Sequence, residues 1–401
     1  MLLSELRGVG ADRASGGVDR RSWSAAELEC RSWFMERAGR AGLETETDRN
    51  GNLWAWWGHE LPGTAVVTGS HLDSVPAGGE WDGPLGVVSG FAAVERLRAE
   101  GYRPRRPVAV VAFTEEEGSR FGLACLGSRL MTGAVDADRA CTLRDADGIT
   151  LPEAMTRAGA DARGLGADPD RLARIGAFVE VHIEQGHLPL EHRDGYGLAE
   201  AGSPLGVLSR IWPHGRWRID LTGRQDHAGT TRMGARSDPV VAMAQTILEV
   251  RRAALEHDVL ATVGRVAVHP GAVNAIAGSA SVWIDARGGA EDAVRAFCAD
   301  VTARVGRDAV AESWTDVTVF DEMLGEVVAR AAERASGVPL PRLPSGAGHD
   351  AGVLALAGIP TAMIAVRNPT GVSHAPDEQA EEEDARTGVA SLAEVLRECA
   401  G

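Results

Sequence analysis

His71 and Asp73 follow one compact apolar run, Glu115, Glu116 and Glu117 follow another, His182 stands late in a third, and His374 comes after a fourth. Imidazoles and carboxylates without thiolates form a hard-to-borderline ligand set, suited to zinc, manganese, cobalt or nickel. Asp82, in Trp81-Asp82-Gly83-Pro84, lies in a glycine-rich stretch that can present one carboxylate to two ions at once. Two ions sharing a carboxylate activate a water and polarise a carbonyl together. Three adjacent glutamates let one carboxylate bind metal while a neighbour stays free as a general base. Each fragment also has a plainer reading on its own. A glutamate run suits a solvated loop, and a single histidine such as His182 suits a hydrogen-bonded core position. His71-Leu72-Asp73 reads as a polar loop or as an imidazole oriented by a carboxylate.

An open α/β sheet would bring these groups together, because such sheets bind ligands outside the carboxyl ends of their strands. Residues 64–70, 108–113, 178–183 and 361–366 are continuous apolar runs, the pattern of strands buried on both faces. Helical spacing is expected over about 23–42, 87–100 and 350–356. From residue 215 the pattern changes: Trp217, Ile219 and Leu221 alternate, 239–256 reads as a long helix, and 261–268 and 280–285 read as further strands. Alternation implies an antiparallel sheet with one wet face, and hence a second α/β domain inserted in the first. The expected fold is α/β: a discontinuous domain, 1–206 and 315–401, with a mainly parallel sheet flanked by helices, and an inserted domain over 207–314.

The 401 residues carry a formal net charge of −16, and all 41 basic residues are arginine. A general attraction to nucleic acid or anionic lipid is therefore not expected. The five cysteines are scattered and form no CxxC pair, which argues against a disulfide framework or a thiolate zinc site and fits a reducing cytoplasm. Neither a signal peptide nor an apolar stretch of membrane-spanning length, roughly 18 to 20 residues, is visible.

The motifs Gly69-Ser70-His71-Leu72-Asp73, Asp82-Gly83, Glu116-Glu117-Gly118-Ser119-Arg120-Phe121, His182-Ile183-Glu184-Gln185-Gly186, His227-Ala228-Gly229-Thr230-Thr231, Ser345-Gly346-Ala347-Gly348-His349-Asp350 and Gly371-Val372-Ser373-His374 occur in that order. From about residue 16 to the C-terminus the chain resembles the hydantoinase/carbamoylase amidases, a family that includes N-carbamoyl-L-amino-acid hydrolases, β-ureidopropionases and allantoate amidohydrolases. The resemblance implies two divalent ions held by His71, Asp82, Glu117, His182 and His374, with Asp82 shared. It implies that Asp73 orients His71 and that Glu116 is the base that takes a proton from water and returns it to the leaving amine. The inserted domain becomes a lid that also dimerises, with His227 steadying the oxyanion, in the partner subunit's site. Asn274 and Arg287 would hold the substrate's α-carboxylate, and Gln185 would stand near the scissile group. Glu115 is left without a role.

Two departures from the family pattern put arginine where proline is usual, Arg367 before His374 and Arg232 after His227. A second guanidinium near the pocket suggests that Arg367 selects substrates bearing a second carboxylate. The expected enzyme cleaves the C–N bond of an N-carbamoyl-L-amino acid or related ureido acid. Its rivals are an allantoate amidohydrolase, an N-formyl or N-acyl amino acid (possibly glutamate) amidohydrolase or metallo-exopeptidase, and, in another class, a non-catalytic ligand-binding protein.

Overall fold

The computed structural model describes residues 2–401, which divide into two compact units: the chain up to Arg210 together with Val319–Gly401, and Ile211–Thr318. In the first unit four strands run parallel, side by side in the order Val108–Phe113, Ala65–His71, Ile175–Ile183 and Thr361–Val366. Three of the four are buried along their whole length, and Ile175–Ile183 is buried along most of its own, so continuous apolar sequence goes with strands covered on both faces. Leu53–Trp57 and Leu205–Ile211 flank the four as antiparallel neighbours.

Helix Pro84–Ala99 packs on this sheet with Leu85, Val87, Val88, Phe91, Val94 and Leu97 all buried. Sequence spacing starts that helix at residue 87. Proline at its first position begins it three residues earlier, since a fixed φ and a missing N–H suit a helix N-terminus. Glu382–Ala400 and Glu322–Ser336 complete the same apolar cluster with Leu392, Val395, Leu396, Leu324 and Val328. The parallel register sets His71 opposite Phe113 and His182 opposite Ala365. The strand ends and the loops that leave them therefore lie along one edge of the sheet, and those loops carry Asp73, Glu115 to Glu117 and Arg367.

In the second unit four antiparallel strands lie in the order Ala309–Thr315, His214–Thr222, Ser279–Arg287, Leu260–His269. Every second residue of Ser279–Arg287 is buried, matching the expected wet and dry faces. Trp217, Ile219, Leu221, Val282 and Ile284 meet Val250 of helix Pro239–His257 and Phe297 of helix Glu291–Val305 in a core of their own. Among the described residues no helix is long and apolar enough to cross a membrane, and the five cysteines form no disulfide.

Candidate metal centre

Asp82 is the hub of the cluster at the strand ends. Its Oδ1 lies 3.2 Å from His182 Nε2 and 3.6 Å from His71 Nε2, and its Oδ2 lies 3.3 Å from His374 Nε2. Glu117 Oε2 is 3.4 Å from the same His374 nitrogen, and its other carboxyl oxygen is buried without a partner. Two ligand-capable groups result, His71 with Asp82 and His182, and Asp82 with Glu117 and His374; within each, the ligand atoms lie within 4.8 Å of one another. Gly83 makes the hub possible. Its φ of 83° turns the chain into helix Pro84–Ala99, and a Cβ there would stand 2.4 Å from the His71 ring.

Hydrogen bonds fix the ring tautomers. His71 Nδ1 is 3.0 Å from the Asp73 carbonyl, and His182 Nδ1 is 2.9 Å from the Ile183 carbonyl. A carbonyl only accepts, so both Nδ1 atoms carry the proton and both Nε2 atoms turn a lone pair toward the Asp82 carboxylate. A lone pair facing an anion at that range calls for a cation or a proton between them, so these residues fit a divalent metal. The local field agrees. Burial opposes charge on His71, but the carboxylates of Glu116, Asp82 and Asp73 outweigh it and hold the ring well above its usual range. The bond to Asp82 raises His374 to about 9 against burial, with Glu117 adding to the rise. Burial would raise Asp82, yet its bonds to His182, His374 and His71 hold it well below the carboxylate range.

Glu180, His182 and His349 also stand close enough to share an ion. His182 has a single free nitrogen, already turned to Asp82, and His349 Nε2 is 2.9 Å from the Ser345 hydroxyl. This trio is the packed wall behind the centre rather than a separate site.

The three glutamates divide by direction. Glu115, with a left-handed φ of 56°, folds its carboxylate over the loop, where Oε1 accepts the N–H groups of Phe121 at 2.7 Å and Arg120 at 3.0 Å. The triplet member with no expected role is thus the staple that shapes the loop. Glu116 points to the cluster: Oε2 is 3.8 Å from His71 Nε2, and Oε1 accepts the Cys125 thiol at 3.2 Å. Burial raises Glu116 well above the usual carboxylate range, although His71 opposes it, and raises Glu117 to about 7 with Asp82 reinforcing. Asp73 orients His71 through its backbone carbonyl. Its carboxylate accepts the N–H groups of Glu116 and Glu117, each at 3.2 Å, and ties the two ligand loops together.

Gln185 donates to Asp82 Oδ2 at 2.7 Å, which puts it beside the centre. Arg367 does not offer a free guanidinium. Asp384 holds it at 2.8 Å through both Nε and Nη2, and its backbone N–H, which proline would lack, donates to the Pro204 carbonyl at 3.0 Å. The geometry gives Arg367 a structural partner in place of the expected second carboxylate of a substrate. Next to it, buried Asn368 donates to the Glu184 and Val372 carbonyls and accepts from Thr370 and Gly371, folding the loop that ends at His374.

In the inserted unit, Asp226–His227 and Ala275–Ile276 form a short ribbon that sets His227 opposite Ala275, and the Ala228 N–H donates to the Asn274 carbonyl at 3.1 Å. His227 Nδ1 accepts the Gly229 N–H at 3.0 Å, so the exposed ring carries a proton on Nε2 and presents a donor. Asn274 is exposed beside it, while Arg287 ends strand Ser279–Arg287 with its guanidinium on Asp285. Arg232 adopts φ −61° and ψ 144°, a conformation open to proline, so this departure leaves the backbone undisturbed.

Sequence reasoning missed Cys125, Asn368 and Glu378. Glu378 accepts the N–H groups of Asp82 and Trp81 and the Ser373 hydroxyl, but in sequence it is hidden in an acid-rich stretch.

Residues 67–398 match peptidase family M20/M25/M40. The chain is 37% identical to an N-carbamoyl-L-amino acid amidohydrolase of Geobacillus stearothermophilus, over 98% of this chain and 95% of that one. It is 34% identical to an allantoate amidohydrolase of Escherichia coli (strain K12), over 99% and 96%. A crystal structure of an amidase of the hydantoinase/carbamoylase family from Burkholderia vietnamiensis superposes with a TM-score of 0.87 at 30% identity, covering 99% of this chain and 95% of that one. With these relatives matching over nearly its whole length, the chain belongs to peptidase family M20/M25/M40 and is one of its amidohydrolases.

Proposed function

We propose that this enzyme hydrolyses the C–N bond of N-carbamoyl-L-amino acids at a two-ion centre whose ligands are His71, Asp82, Glu117, His182 and His374. One observation carries the reading: Asp82 turns one carboxylate oxygen to each of two ligand groups, while Glu116 stands beside them unspent as a ligand. Two divalent ions, zinc, manganese, cobalt or nickel, supply an activated water and a polarised carbonyl when bound there.

The chain's own residues do the rest. Glu116, buried beside the cluster, accepts a proton from the attacking water and delivers it to the leaving amine, a role that suits a carboxyl held above its usual range. The Nε2–H of His227 donates to the oxyanion as the carbonyl becomes tetrahedral. Asn274 and Arg287 receive the α-carboxylate, for which Arg287 would exchange Asp285 for the substrate. Water and the carbamoyl group together yield amino acid, ammonia and carbon dioxide.

A homodimer with His227 acting in trans is part of the proposal. Its support is in the inserted unit: helix Pro239–His257 exposes Val241, Leu248 and Leu255 at intervals of seven, and edge strand Leu260–His269 exposes Leu260, Val266 and Val268. A second copy would cover both. The function test is a panel of N-carbamoyl, N-formyl and N-acetyl amino acids, allantoate and dipeptides, given to metal-replete protein. Turnover confined to N-carbamoyl amino acids supports the reading. Preference for allantoate supports the second reading, which the Escherichia coli relative favours. Cleavage of dipeptides alone contradicts both.

A further inference from the structure

Glu378 performs no step above, yet it joins the two segments that carry Asp82 and His374. Its side chain is buried. Oε1 accepts the N–H of Asp82 at 2.9 Å and of Trp81 at 3.2 Å, and Oε2 accepts the Ser373 hydroxyl at 3.1 Å. Ser373 directly precedes His374, and the Asp82 and Glu378 partners are 296 residues apart in sequence. Room for the contact is made at Gly79, where a Cβ would stand 2.3 Å from Oε1 and 2.5 Å from Cδ. Asp82 has a second anchor in the turn into helix Pro84–Ala99. The His374 loop depends on Asn368 and on Ser373, and its imidazole is half exposed.

We propose that Glu378 is a positioning residue that sets the spacing between Asp82 and His374 and so the affinity of the group containing Asp82, Glu117 and His374 for its divalent ion. This rests on the two-ion reading above. Hydrogen-bonded supports of metal ligands change affinity by about 10- to 100-fold when removed.

The test is stepwise titration of chelator-stripped full-length protein with zinc against a chromophoric competitor, alongside thermal unfolding of each metal-free protein. Wild type should take up two ions. Glu378→Ala should bind one of the two about 10- to 100-fold more weakly and the other within a few-fold of wild type. Glu378→Gln, which keeps an acceptor oxygen, should recover part of the loss. Gly79→Ala, which displaces the carboxylate without removing it, should reproduce the loss, and it serves as the test if Glu378→Ala fails to fold. Wild-type affinity for both ions in Glu378→Ala and Gly79→Ala would overturn the proposal, as would equal weakening of both ions. A wild type that binds no second ion would overturn the two-ion reading and this inference with it, and that result comes from the wild-type titration alone.

Discussion

At the scale of single residues, side-chain direction separates chemistry from support. Glu115 and Glu116 are neighbours with the same functional group, yet one bonds two loop amides and the other faces His71. Glu115→Ala should therefore destabilise the protein by about 1 to 3 kcal/mol by leaving the buried Phe121 amide and the part-buried Arg120 amide unpaired, read as a drop in urea midpoint. Arg367→Ala should likewise cost about 1 to 3 kcal/mol, since Asp384 loses a charged partner, while kcat/KM for N-carbamoyl glutamate and for its neutral-side-chain analogue falls by the same factor or not at all. A selective loss on the glutamate substrate would return Arg367 to the pocket. The residue types at strand ends made a candidate cluster legible in sequence, and the family resemblance singled out Glu117 from the triplet. Glu378 was not legible, because its partners are backbone amides that appear only when the chain has folded.

Elements carry their own tests. Gly83 is the first residue past the hub and caps helix Pro84–Ala99, so Gly83→Ala combines a positive φ with a clash against the His71 ring. It should lower the melting temperature and the metal content together; normal metal content at full stability would contradict the packing described. In the inserted unit, Asp285 pairs across the ladder with Arg216 and along its own strand with Arg287. Burial would raise its carboxyl, but the two arginines hold it below the usual range. A depressed folded pKa contributes stability that is full above the unfolded value of about 4 and is lost as pH falls through the folded value. The stability deficit of Asp285→Asn should thus be largest near neutrality and shrink as pH falls below the unfolded value of about 4; a deficit independent of pH would argue against the pairing. Continuous and alternating hydrophobicity told the parallel sheet from the antiparallel one. The short ribbon that seats His227 beside Asn274 has two residues per strand, too few for any period to show.

For the whole molecule, the fold and the gathering of these side chains were legible because the candidate ligands come from motifs spread over some 300 residues, from His71 to His374, and one sheet edge can gather them. The proposed subunit association has a fainter mark, three exposed apolar residues at intervals of seven on one helix. Mixing His227→Ala with Glu116→Gln subunits, each inactive alone, should restore part of the activity if the donor acts in trans, and no recovery despite proven exchange would place it in cis. The central claim is that Glu116 does the proton work while its neighbours hold two ions. Metal content and turnover of Glu116→Gln, measured on one preparation with the best substrate of the panel, test it most directly. Two ions per chain with kcat reduced at least 100-fold, the lower end of what a general base contributes at roughly 10² to 10⁴, is the expected result. Substantial turnover with both ions in place would contradict the account.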